Sequence, residues 1–106
     1  MIKVVIARHN ESIYNNYIGP TIRRQPCIMC DVHDREDLSE DQPTIADKYN
    51  YGIMAFAQKN QLTSQDIIVF IHEDVNIIDP QFARKIEIVF AQKPEVGVLG
   101  LCGSTE

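Results

Sequence analysis

The apolar positions of this chain follow two rhythms. Ile2-Lys-Val-Val-Ile-Ala7 and Asp66-Ile-Ile-Val-Phe-Ile-His72 are short, β-branched and almost uninterrupted, as in strands covered on both faces. The second run is the stronger and is expected at the centre of a parallel sheet. Cys27 to Val32 reads as another strand, and Val96 to Cys102, with Gly97 and Gly100 inside it, as a last one. The helical rhythm appears at Ile45, Tyr49, Ile53 and Phe56, which predicts a helix running to about Lys59. Thr44 and Asp47 give it a capping-box start. Gly52 inside it costs about 1 kcal/mol against Ala, so something is expected to pack closely there. Phe82, Ile86, Val89 and Phe90 predict a second helix, with Asp79 as its N-cap, Pro80 at its first position and Lys93-Pro94 at its end. A shorter helix is expected from a Ser12 cap, with Ile13, Tyr14, Tyr17 and Ile18 on one side and Gly19-Pro20 as its stop.

Strands alternating with helices imply an α/β, Rossmann-like fold with a mostly parallel sheet and flanking helices. Ligands of such sheets bind beyond the carboxyl ends of the strands. At 106 residues, positions 1–106 make a single domain without repeats or low-complexity linkers. The chain stops at Gly103-Ser-Thr-Glu106, directly after the last expected strand, so the domain is expected to be incomplete at its C-terminus.

Composition narrows the function classes. Apolar content of 44% and charged content of 24% are those of an ordinary globular protein. A net charge of −5 argues against a general nucleic-acid binder, which needs a basic face. The acidic run from His33 to Pro43 reads as a solvated loop, and it lacks the spacing of a calcium loop. Cys27 and Cys30 form a C-x-x-C, but residues three apart on a strand face opposite ways. Packing thiols are expected there, not a zinc site. With no secretory signal and no apolar span of roughly 18–20 residues, a cytoplasmic protein is expected, and the sequon at Asn10 is a chance match.

The best candidate for chemistry is His72-Glu73-Asp74-Val75, at the carboxyl end of a strand. On an extended backbone His72 and Asp74 share a face while Glu73 points away. An imidazole and a carboxylate converging there can hold a divalent cation, with phosphate oxygens and water completing its shell. Mixed nitrogen and oxygen ligation favours manganese over magnesium modestly. The competing reading is a polar cluster capping the turn into Asn76. Near the end of the first strand, Asn10 or Glu11 can hydrogen-bond a base or ribose, or simply cap a helix. Asp31, ending the second strand, can accept from a base N–H or a ribose hydroxyl, or can be solvated in a loop. No G-x-G-x-x-G or Walker loop is present, which argues against dinucleotide oxidoreductases and P-loop enzymes. No Ser/His/Asp or Cys/His nucleophile is suggested by strand-end placement.

In order and spacing these segments resemble the N-terminal part of the family-two glycosyltransferases and their GT-A relatives. The first strand with Asn10-Glu11 is similar to their opening strand and Asn-Glu turn. Ala46-Asp-Lys-Tyr-Asn50-Tyr-Gly52-Ile53, continuing to Phe56-Ala57, resembles their Asn-x-Gly-Ile helix. Ile67 to Asp74 falls where they carry a strand and the DxD metal motif. His72-Glu73-Asp74-Val75 and Gly97-Val-Leu-Gly100-Leu-Cys-Gly103-Ser104 are most similar to the subgroup related to the streptomycin-biosynthesis StrF protein. The resemblance implies the N-terminal half of a GT-A fold that binds a nucleoside-diphosphate sugar with Mn2+ or Mg2+ and transfers the sugar to an acceptor hydroxyl. It implies that Asp74 holds the metal, with His72 in place of the usual first aspartate. It also implies that Asp31 contacts the base or ribose and that Asn10 or Glu11 lines the nucleotide pocket. Lys48 stands for a basic residue that some relatives place near Asn50, putting both beside the nucleotide. Relatives place the acceptor site and the catalytic base beyond the point where this sequence ends, so no catalytic residue and no acceptor is assigned. The alternatives are a non-catalytic nucleotide-binding or assembly module, and a small metal-dependent hydrolase of phosphate esters, which needs more carboxylates at the strand ends. Exposed sheet edges invite association between copies.

Overall fold

The computed structural model describes residues 1–33, 44–59 and 61–95, with Gly97 and Gly100. Its elements are β1 (Ile2–Arg8), α1 (Glu11–Asn16), α2 (Ile18–Ile22), β2 (Cys27–His33), α3 (Ile45–Gln58), β3 (Ile67–His72) and α4 (Phe82–Gln92). The three strands are parallel in the order β2-β1-β3. This is the α/β, Rossmann-like arrangement of the N-terminal half of a GT-A fold. The acidic run over 34–43 and the strand expected over 96–102 lie outside the described residues, apart from Gly97 and Gly100.

Strand alternation sorts the side chains into two layers. On one face, Ile2, Val4 and Ile6 of β1 pack with Tyr14, Ile18, Ile22, Ile71, Ile77 and Ala83 beneath α1, α2 and α4. On the other, Val5, Val32 and Phe56 form a smaller cluster beneath α3. Cys27 packs against the first layer and Cys30 against the second, which is the opposed placement expected of them. Burial pushes the Cys27 thiol above its usual pKa.

The middle strand differs from expectation. Among the described residues β1 lies between β2 and β3, and β3 lies at the edge with Phe70 43% exposed. An unbroken apolar run reports cover on a strand's two faces and says little about which neighbours flank it.

The close approach at Gly52 is real. A Cβ added there would stand 2.4 Å from Cγ1 of Val5 and 2.8 Å from its Cγ2. The missing side chain lets α3 settle directly onto β1. The capping box forms as its residues predict: Thr44 Oγ1 accepts from Asp47 N at 3.1 Å, and the Asp47 carboxylate accepts from Thr44 N at 2.8 Å.

Three helix boundaries move. Asn10, not Ser12, caps α1, its Oδ1 accepting from Ile13 N at 3.1 Å. Gly19-Pro20 lies inside α2 and does not stop a helix there. Pro20 is the third residue of that element, where its missing N–H would have had no helical partner anyway. Helix α4 starts at Phe82, two residues later than a Pro80 start requires. Asp79 still caps the preceding turn through Gln81 N at 2.8 Å, and its hydrogen bond to Lys85 holds its carboxyl below the usual range. The first turn of α4 is capped from afar: buried Gln25 accepts from Ala83 N at 3.1 Å and donates to Asp79 O at 3.0 Å.

Candidate functional site at the carboxyl end of the sheet

Parallel pairing in register brings the strand ends level. Ile6 of β1 pairs with Asp31 of β2, and Ala7 pairs with His72, the last residue of β3. Beyond that level lies an open hollow of about 220 Å³. His72, Glu73 and Asp74 line it from β3, and Ala7 and His9 from β1. Ile13 of α1 and, in the first turn of α3, Ile45 and Lys48 line the rest of it.

His72 and Asp74 are exposed and border the same hollow. The His72 ring meets Tyr49 edge-on at 6.3 Å between centroids, and Tyr49 stacks on Phe70 at 4.5 Å. This places the imidazole on the α3 side of β3. Burial raises the Tyr49 pKa. Lys48 is 7% exposed, so its aliphatic stem is packed while the residue borders the hollow.

Glu73 does not point away. The strand ends at His72, residues 73–74 form a turn, and the alternation of an extended backbone no longer applies. Its carboxylate accepts from His9 N at 2.8 Å and from Asn10 N at 3.1 Å. Among the described residues, no group of three or more His, Cys, Asp or Glu side chains is placed to hold a metal ion. A cation held by His72 and Asp74 would need its other ligands from a phosphate group and water. An imidazole and a carboxylate on one open hollow suit that arrangement.

Asp31 has a different setting. Its Oδ2 accepts from Arg8 Nη1 at 3.2 Å and from the Tyr14 hydroxyl at 3.0 Å. The Arg8 guanidinium lies over the Tyr14 ring, 3.6 Å from its centroid, in a cation–π contact. Asp31 Oδ1 and Arg8 Nε are buried without a hydrogen-bond partner among the described residues. Burial, then the neighbouring Asp31 carboxylate, raises the Tyr14 pKa. Asp31 does not line the hollow beside His72.

The other sequence candidates divide similarly. Lys48 joins His72 and Asp74 around the hollow. Asn10 caps α1 and its backbone N–H is held by Glu73. Glu11, in the first turn of α1, and Asn50, on α3, are exposed and are not part of the hollow's lining. Sequence reasoning missed the inward turn of Glu73 and the Arg8–Tyr14 clamp on Asp31. The only trace of that clamp was Arg8 ending an otherwise apolar run.

The sequence model of the glycosyltransferase-like family matches residues 4–106. The chain belongs to that family. The match takes in most of both sheet layers, Ile2 excepted, and the whole rim of the hollow in this glycosyltransferase-like domain. No curated protein and no solved structure matches the chain significantly. Among the described residues, no helix of the domain is long and apolar enough to cross a membrane.

Proposed function

We propose that this glycosyltransferase-like domain binds a nucleoside-diphosphate sugar through a divalent cation, for transfer of the sugar to an acceptor hydroxyl. The observation that carries the reading is the shared hollow, where exposed His72 and Asp74 meet Lys48 at the strand ends. In this proposal an imidazole nitrogen of His72 and the Asp74 carboxylate hold Mn2+ or Mg2+. When bound, that cation neutralises charge accumulating on the departing diphosphate. Lys48 adds a positive charge on the α3 side. Asn10, Glu11 and Asn50 are proposed to line the nucleotide's path around the rim. Asp31 is proposed to meet the base or ribose, which requires it to release Arg8 or to offer Oδ1. The His-x-Asp-Val sequence at residues 72–75 supports placing the domain near the StrF-type subgroup.

The test is thermal unfolding with UDP, GDP or dTDP, each with and without manganese. A nucleotide at 100 times its dissociation constant adds about 2.7 kcal/mol of stability. That corresponds to a rise in Tm of roughly 10 °C or more for a domain of this size. Manganese-dependent stabilisation by one of the three upholds the reading. Its absence with all three contradicts it.

A further inference from the structure

Glu73 lies between the two proposed cation ligands, yet both of its carboxylate oxygens are turned onto backbone. Oε2 accepts from His9 N at 2.8 Å and from Asn10 N at 3.1 Å, and Oε1 accepts from Asn10 N at 3.1 Å. Its own carbonyl accepts from Ile18 N at 3.3 Å, at the start of α2. The last ladder pair joining β1 to β3 is Ala7 with His72. Past that level the sheet no longer fixes one strand end against the other, and the Glu73 side chain takes over. A carboxylate on two adjacent N–H groups is a charge-assisted contact, stronger than its neutral counterpart. It joins the turn at His9 and Asn10 to the turn of residues 73–74 that follows His72, and His9, His72 and Asp74 all border the hollow.

We infer that Glu73 is a positioning residue, a strut that sets the separation between these two turns and so the width of the hollow. Its oxygens are engaged by backbone N–H groups, so its part in this proposal is to hold the rim and not to take the cation. The inference rests on the nucleotide-sugar reading for its consequence in binding, and on the three hydrogen bonds for the strut itself. A rigidly spaced rim matters because residues supporting a metal site's ligands typically change affinity 10–100-fold when removed.

The test compares the full 106-residue chain with Glu73→Ala, Glu73→Gln and Asp66→Ala. Asp66 accepts from Thr63 N at 2.9 Å at the opposite end of the sheet, so its loss controls for a broken carboxylate-to-backbone contact. Amide exchange at His9 and Asn10 is followed by NMR, and manganese-dependent affinity is measured for UDP, GDP and dTDP. In Glu73→Ala both amides exchange faster, by about tenfold or more. Affinity for the nucleotide that binds the native chain falls about tenfold or more. Glu73→Gln, which keeps one accepting oxygen, gives a smaller change in both, and it carries the comparison if the alanine variant does not fold. Asp66→Ala changes neither. Native exchange rates in the Glu73 variants, or faster exchange with unaltered affinity, overturn the inference. A native chain that takes up none of the three nucleotides overturns the nucleotide reading. Exchange then decides the strut alone, faster rates upholding it and unchanged rates overturning it.

Discussion

Strands β2 and β3 flank β1 in register and each brings a carboxylate to the same edge of the sheet, but the two carboxylates live in different chemistry. Asp31 is held by Arg8 and Tyr14 above the layer of α1 and α2, with one oxygen buried. Asp74, with His72 beside it, opens onto a hollow bordered by α3. The difference comes from what β1 and α1 place next to each end. Arg8 and Tyr14 reach towards β2, while near the β3 end the backbone N–H groups of His9 and Asn10 are taken by Glu73. A carboxylate clamped by a cation and a phenol serves structure first. One left exposed beside an imidazole is available to a ligand.

The contrast breaks first at Tyr14. Tyr14→Ala removes a ring 1% exposed, together with its contacts to Arg8 and Asp31. About 3–5 kcal/mol of stability should be lost in urea unfolding, as for other large aromatic truncations. Arg8→Met leaves Asp31 without its cation. Breaking a fully buried pair costs about 3–5 kcal/mol, and the 15% and 29% side-chain exposure here lowers the expectation to about 2 kcal/mol. Gly52→Ala tests the other wall of the hollow, since Gly52 sets how closely α3 approaches β1. Overpacking of about 1–3 kcal/mol outweighs a helix-propensity gain of about 1 kcal/mol. A Val5→Ala background should relieve most of that loss, and additive effects in the double mutant would contradict the close contact.

Alkaline unfolding sharpens the same contrast by a smaller effect. The Tyr14 phenol has a raised pKa in the folded chain, because burial and then Asp31 disfavour its ionised form. Its contribution is whole below the ordinary tyrosine value of about 10 and is lost as pH climbs from there through the folded value. Tyr14→Phe should therefore flatten the alkaline limb of stability against pH. Smallest of all, His72→Ala and Asp74→Ala should change stability by no more than about 0.5 kcal/mol, as for exposed residues outside any clamp.

Much of this framework was legible because it is local. Strands β1 and β3, the Thr44–Asp47 box and the periodic face of α3 follow from neighbours within a few residues, and Gly52 announced a close contact by breaking the helical rule. The features that escaped are those made by distant parts of the chain. Gln25 caps α4 from 58 residues away, and Glu73 reaches His9 across 64. Neither partner carries a local pattern that names the other. The cap of α1 fell two residues early: Asn10 and Ser12 are both good caps, and it is Asn10 that takes Ile13 N. Within the candidate site, strand-end placement pointed to His72 and Asp74, which border the hollow. It could not tell the open end of β3 from the clamped end of β2, because Tyr14 and Arg8 look like ordinary helix and strand residues in isolation.

The most direct measurement is a calorimetric titration of the manganese complex of whichever of UDP, GDP or dTDP stabilises the native chain, into the native chain and into Asp74→Asn. The account predicts that the substitution weakens binding by about tenfold or more, with the fold intact by circular dichroism. Equal affinity in the two chains would move the ligand away from the end of β3 and contradict the account.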